Sequence, residues 1–218
     1  MKAKHIINLH KGLCFPFVLS LMVIYHNFTI GPLVYLALHG TYGFLWLLKD
    51  RLYPDKQWEE EIPILIGIVG FFIVGLYWVA PFILISSGSE PPPVLIAVAI
   101  AINILGVFLH YTSDAQKYFT LKYKSGLITE GFFARCRNTN YLGEICIYLG
   151  FALLVQHWLP FLILGLSTTI IFIPNMLKKD KSLSRYPEFE EYKANSGLLL
   201  PQLFNLLTVK APNQVSNQ

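Results

Sequence analysis

The sequence predicts an all-α integral membrane protein: a polytopic bundle of about six transmembrane helices, forming a single domain over residues 1–218. Three observations lead there. Hydrophobic residues make up 54% of the chain and charged residues only 14%, against about 25% charged in an average soluble domain. Mean hydropathy is +0.50. Apolar stretches long enough to cross about 30 Å of hydrocarbon recur along the chain. Finally, all 17 Lys and Arg fall in segments that successive helical hairpins would leave on one side. This composition argues against a disordered chain, a basic nucleic-acid-binding domain and an ordinary soluble enzyme.

The first apolar region, residues 12–48, is too long for one span. His26-Asn27-Phe28-Thr29 followed by Gly31-Pro32 reads as a break, which gives spans at 12–29 and 32–48. Later spans fall at 62–86, 92–111, 141–156 and 158–175, the last two meeting in a tight hairpin at Gln156-His157-Trp158. Lys2, Lys4 and Lys11 precede the first span; Lys49, Arg51 and Lys56 follow the second. Lys117, Lys122, Lys124, Arg135 and Arg137 follow the fourth, and Lys178, Lys179, Lys181, Arg185, Lys193 and Lys210 follow the sixth. The loops near 27–31, 87–91 and 156–158 carry no basic residue. The positive-inside rule then places both termini in the cytoplasm. The host would be the inner membrane of a bacterium or the endoplasmic reticulum of a eukaryote.

Lys2 and Lys4 ahead of an apolar run imitate a signal peptide, but no small-residue cleavage site follows closely, so the run reads as a retained first helix. Cys14, Cys136 and Cys146 lack metal-ligand spacing and read as buried small hydrophobes. Residues 211–218 read as a frayed polar tail. Glu59, Glu60 and Glu61 read as a solvated acidic cluster.

Polar chemistry concentrates in 49–61, 112–140 and 176–210, all on the basic side. Long polar segments on a small bundle suggest an enzyme that takes a soluble cosubstrate from the cytoplasm and a lipophilic one from the bilayer. No G-x-G-x-x-G and no P-loop is present. The richest segment opens with Ser113-Asp114-Ala115-Gln116-Lys117 and closes with Arg137-Asn138-Thr139-Asn140-Tyr141-Leu142-Gly143-Glu144. Arg137 supplies a fork for a phosphate or carboxylate. Asn138 and Asn140 carry amides that donate and accept. Glu144 is a carboxylate in a membrane helix, a functional candidate by default. The alternative is that Asn138 or Asn140 simply caps the fifth span, with Glu144 as a first-turn acid. In the second span Tyr35, His39, Tyr42, Trp46 and Asp50 share one helical face. They either line a polar cavity or pack as an aromatic seam. Tyr77 is a second buried phenol, either a proton donor or a packing residue. Near the C-terminus, residues 178–193 read either as an interfacial amphipathic helix or as a segment in which Arg185 and Tyr186 close over a phosphate-bearing cofactor.

Ser113-Asp114, the basic stretch after it, Gly131-Phe132-Phe133 and Asn140-Tyr141-Leu142-Gly143-Glu144 resemble the C-terminal half of the membrane steroid 5α-reductases and related sterol reductases. Phe189-Glu190-Glu191-Tyr192 through Leu200-Pro201 is similar to that family's C-terminal end. The resemblance covers residues 110–204. It implies NADPH bound on the cytoplasmic side and a lipophilic enone, steroid-like or isoprenoid-like, entering from the bilayer. Asp114, Asn140 and Glu144 would lie along the cofactor, with Lys117, Lys122, Arg137, Asn138, Tyr141, Asp180, Arg185, Tyr186 and Tyr192 around it. Asp50 falls where that family has a catalytic Glu, and Tyr77 stands for its Tyr. The expected partners are the substrate and membrane lipids, without nucleic acid, and the protein is expected to be a monomer. A second reading is an S-adenosylmethionine-dependent methyltransferase of the isoprenylcysteine carboxyl or phospholipid type, which shares a similar C-terminal architecture. That family carries Arg-His-Pro before its Tyr and a Glu-Glu pair near the cofactor; here the run is Arg137-Asn138-Thr139-Asn140-Tyr141. A small transporter or lipid-binding scaffold is the third.

Overall fold

The computed structural model describes residues 1–202, and these form a helical bundle with two isolated β-bridges and no strand. Lys210, the tail at 211–218 and the last two positions of the segment 110–204 lie outside the described residues. Five helical segments are long and apolar enough to cross a bilayer, and the protein is an integral membrane protein of the expected all-α, polytopic kind. Large apolar side chains such as Leu65 and Phe72 point outward from the bundle, as contact with lipid requires.

Helix α1 (Ala3–Ile24) buries His10, Lys11, Cys14, Val18, Leu21 and Met22, a three-to-four-residue rhythm that defines one face. Helix α2 (Ile30–Leu52) packs along that face. The expected break lies between them. His26 adopts a left-handed backbone (φ 50°), and Asn27 Nδ2 donates to the carbonyl of Ile85 at 3.0 Å. The third crossing joins α3 (Ile64–Gly75), a 3-10 turn at Leu76–Trp78 and α4 (Val79–Ser87). Helix α5 spans Pro93–Tyr123, and α6 spans Thr139–Val155. Gln156 (φ 53°) and His157 make the tight turn into α7 (Trp158–Ser167), as the sequence predicts. A π-turn at Thr168–Phe172 links α7 to α8 (Ile173–Leu183), and α9 (Phe189–Asn195) follows. Pro174 accounts for the wide turn: it has no N–H, and its ring would collide with a carbonyl one turn earlier in a regular helix.

Helix α1 starts at Ala3, ahead of the expected residue 12, and α2 runs four residues past 48 to Leu52; the two longest extensions at C-terminal ends lie in α5 and the last crossing. Helix α5 continues past residue 111 to Tyr123, which puts His110, Asp114 and Lys117 on one helical face and not in a loop. The last crossing continues past residue 175 to Leu183. Hydropathy marks only the apolar part of each helix; the amphipathic remainder is held by packing. Helix α6, with 17 residues, reaches about 26 Å at 1.5 Å per residue. It is not among the five segments long enough to cross, one fewer than the about six expected; its central place, with Gly143, Ile147, Tyr148, Phe151 and Leu154 all buried, shelters this short helix.

Close helix contacts set the positions of the functional side chains. A Cβ on Gly143 would collide with the backbone nitrogen of His110, and one on Gly106 would meet the Gly143 carbonyl at 2.6 Å. Glycine therefore lets α5 and α6 approach backbone to backbone, bringing the His110–Asp114 face of one against Asn140 and Glu144 of the other. Likewise a Cβ on Gly43 would overlap the Lys11 carbonyl, so α1 lies directly on α2. At the basic end the N-terminus is fastened to the loop before α3: Glu59 pairs with Lys2 at 2.8 Å and also with Lys4. Glu59 is thus half-buried and paired, a correction to the solvated cluster expected from sequence.

Candidate functional site

Two adjoining chambers open toward the basic end of the bundle. The outer one, about 420 Å³, lies between α5, the 126–137 loop and α8, with Lys117, Arg137, Lys178 and Lys179 in its wall. The inner one, about 340 Å³, lies among α1, α2, the third crossing, α5, α6 and the π-turn. Asp55, Gln57, Asn140, Tyr141 and Asn175 line both. Each volume falls within the range of about 300–1,000 Å³ usual for small-molecule sites.

The inner chamber joins apolar walls to several polar groups that lack partners. Tyr77 lines it from the 3-10 turn, its ring stacked on Tyr148 at 3.8 Å. Glu144 lines it with no hydrogen bond or ion pair among the described residues. Asp114 and Lys49 form a buried ion pair at 2.5 Å, yet the second carboxylate oxygen of Asp114 is buried without a partner. His110 donates from Nδ1 to the Asn140 carbonyl at 3.0 Å, a tautomer required because a carbonyl only accepts. Its Nε2, 4.0 Å from Asp114 Oδ2, and the side-chain Oδ1 of Asn140 are buried without a hydrogen bond. Buried polar atoms normally find partners, so this concentration of open ones makes the inner chamber the candidate site. Ile73, Val74, Ile171 and Phe172 supply the apolar wall.

The outer chamber is different. Arg137, only 5% exposed, points Nε at both Asp180 oxygens (3.1 and 3.2 Å) and Nη2 at Oδ2 (3.0 Å). Its Nη1 reaches Ser196 and the Lys193 carbonyl. Asn138 donates to the Leu198 carbonyl at 2.9 Å and accepts from Lys179 at 3.1 Å. Tyr192 donates to the Phe133 carbonyl at 2.7 Å, and burial pushes its phenol well above the usual tyrosine range. These bonds clamp α8 and α9 onto the loop before α6. Gln116 holds that loop from the other side, donating to the Glu130 carbonyl and accepting from the Phe132 amide.

The sequence-predicted residues therefore divide. Asp114, Glu144 and Tyr77 line the inner chamber, Asn140 and Tyr141 line both, and Lys117, Arg137 and Tyr192 line the outer one. Lys122 borders a neighbouring pocket of about 390 Å³ between α2 and α5. Asn138 and Asp180 belong to the clamp and line neither chamber. Arg185 is exposed and packs on its own neighbour Tyr186, 4.9 Å from guanidinium to ring centre, away from both chambers. Asp50 is not brought to the other predicted residues. It accepts from Asn8 Nδ2 at 2.8 Å and lines neither chamber. Its neighbour Lys49 takes the inward position, because a helix turns about 100° per residue. The cap reading of Asn138 also fails: α6 begins at Thr139 and no side chain caps it. Most of the aromatic stripe on α2 packs as a seam, Tyr35 and His39 against Phe151, and only Trp46 reaches the inner chamber. Lys11 and Lys49, flanking charges in the sequence, are both buried in helices and point inward.

Neither a curated protein nor a solved structure matches the chain. Residues 49–196, which contain both walls of the outer chamber and most of the inner one, match the model of a protein family of unknown function, DUF1295, and the chain belongs to that family.

Proposed function

We propose that the protein is a membrane oxidoreductase that uses NADPH to reduce the activated C=C bond of a lipophilic, steroid-like or isoprenoid-like substrate. One observation carries this reading: Asn140 and Tyr141 form a common wall between a basic chamber and a phenol-lined chamber set among the spans. The resemblance of residues 110–204 to the steroid 5α-reductases and sterol reductases supports the choice of reaction. The residues present suit the cofactor. Lys178 is exposed in the wall and offers a cation to its phosphates, with Lys117, paired with Asp55, and Lys179, bonded to the Arg137 carbonyl and Asn138, adding positive charge beside it; the open Oδ1 of Asn140 offers an acceptor where the chambers meet. NADPH, when bound, supplies the hydride. The chain's own part is to orient both molecules, exclude water and offset the charge that develops on the substrate oxygen. With Asp50 outside the chamber, that role passes to the phenols of the inner wall, Tyr77 among them, with the Glu144 carboxyl group lining the same chamber. In this reading the basic end faces the cytoplasm, the source of the cofactor.

The methyltransferase reading asks for a Glu-Glu pair near the cofactor. Glu190 and Glu191 are exposed on α9 and line neither chamber, which weighs against it. A thermal-shift titration of the purified protein in detergent, with NADPH and S-adenosylmethionine in parallel, separates the readings. NADPH at 100 times its Kd is expected to stabilise the protein by about 2.7 kcal/mol. Stabilisation by the methyl donor alone would overturn the reductase reading, and stabilisation by neither would favour a non-enzymatic membrane protein.

A further inference from the structure

Lys11 lies on α1, outside the family match at 49–196. It is 4% exposed and lines the inner chamber. Its Nζ donates to Tyr148 Oη at 2.8 Å and sits 4.2 Å from the centre of the Tyr42 ring, with Trp46 and Tyr148 at 5.6 and 5.4 Å. Aromatic faces around a cation are favourable, but they do not replace a carboxylate. Among the described residues Lys11 forms no ion pair. Glu144, one turn before Tyr148 on α6, faces the same chamber without reaching it.

An ammonium group has three donors and accepts nothing. Tyr148 must therefore be the acceptor in the 2.8 Å contact, and its own hydroxyl proton remains available to another oxygen. Burying a cation with donors to spare is costly, and ionisable groups at membrane depth mark functional sites. The ring of Tyr77 lies flat on that of Tyr148 at an interplanar angle of 19°, so Lys11, Tyr148 and Tyr77 form one wall. Asp114 is already paired with Lys49, and the open carboxyl group of Glu144 in the same chamber disfavours an anionic head. A neutral oxygen acceptor on an apolar body fits best.

The geometry points to Lys11 and Tyr148 as the pair that seats the carbonyl oxygen of the unsaturated ketone, an assignment of binding residues that rests on the reductase reading. Hydride addition at the β-carbon breaks the C=C π bond and moves its electron pair onto the carbonyl oxygen, giving an enolate held by the two donors. A proton from water then adds at the α-carbon, which restores the carbonyl, yields the saturated ketone and leaves hydroxide to be neutralised by solvent; NADPH is the species oxidised, to NADP+.

The test measures ligand binding and cofactor binding separately. Trp46 and Trp58 line the inner chamber, so quenching of tryptophan fluorescence reports its occupancy. The probes are a long straight-chain α,β-unsaturated methyl ketone and the alkane of equal length, each titrated into the detergent-solubilised full chain without cofactor. Lys11→Met is expected to weaken ketone binding about tenfold and to leave alkane binding unchanged, with Lys11→Arg restoring part of the loss. Tyr148→Phe, which removes one oxygen, is expected to weaken ketone binding severalfold and carries the test if Lys11→Met does not fold. Ketone binding unchanged in Tyr148→Phe and in any folded Lys11 variant would overturn the seat. NADPH titration of the same preparations tests the reductase reading: if the wild-type chain ignores NADPH while Lys11→Met still loses the ketone, the seat stands and the reductase reading falls.

Discussion

The two chambers share a wall but treat their polar groups in opposite ways. Around the outer chamber nearly every long polar side chain is closed onto the protein: Arg137 onto Asp180 and Ser196, Asn138 onto Leu198 and Lys179, Tyr192 onto Phe133. In the inner chamber Glu144, Asp114 Oδ1, His110 Nε2 and Asn140 Oδ1 remain open. A closed network is a structural device that fixes where elements sit. Open buried groups carry a stability cost that a ligand can offset. The difference separates residues that build the site from residues that use it, although both kinds sit in the same short sequence motif.

The largest expected effect comes from breaking the closed side. Arg137→Ala leaves Asp180 buried without its partner and is expected to cost about 3–5 kcal/mol of stability, measured by thermal unfolding in detergent. If that variant unfolds normally and loses only NADPH binding, Arg137 is a ligand contact and the contrast between the chambers collapses. On the open side the expectation reverses. Glu144→Gln is expected to change stability by less than about 1 kcal/mol and to lower turnover at least about 100-fold, read from steady-state oxidation of NADPH with an enone substrate. Retained turnover would show that the open carboxylate is idle. Tyr77→Phe and Asp50→Asn form the next pair. Tyr77→Phe is expected to lower kcat while leaving NADPH affinity unchanged; Asp50→Asn, whose amide oxygen still accepts from Asn8, is expected to leave both unchanged. Loss of turnover in Asp50→Asn would reopen the assignment of the acid.

The smallest effect concerns the fastening of the N-terminus. Lys2 and Lys4 hold the Glu59 carboxyl down from 4.5 to about 2. A depressed folded value means that the pairing stabilises fully above about 4.5 and is lost as pH falls toward about 2. Hydrogen exchange at the amides of Ala3 and Ile62, bonded to Glu60 and Met1, is expected to speed up through that window. Added salt should have the same effect at neutral pH, because the pair is partly exposed.

Much of the architecture was legible in the sequence. The apolar runs, the break at His26–Thr29 and the hairpin at Gln156–His157 are local features with local causes. Asn140, Tyr141 and Glu144 were legible as a motif, and the structure brings them to the chambers. Lys11 and Lys49 were misread because a hydropathy window treats a lysine near the end of an apolar run as its boundary. What buries them is the approach of α1 to Gly43 and of α5 to α2, which no local pattern reveals. Asp50 lies one residue away from the position that lines the inner chamber. The stripe Tyr35, His39, Tyr42, Trp46 alternates steps of four and three, and the next step of three lands on Lys49. That continuation was available in the sequence and would have pointed to the buried partner of Asp114.

The π-turn at Thr168–Phe172 has a consequence for the whole last crossing. A π-turn amounts to one residue inserted into an α-helix, so the helix beyond it is rotated by about 100° relative to an uninterrupted one. That rotation lets α7 keep an apolar rim, with Leu162 and Leu166 exposed, while Asn175, Lys178 and Lys179 line the chambers. The crossing thus carries a phase shift in its sequence. Deleting one residue within Thr168–Phe172 would turn the three polar side chains off the chambers without changing any of them.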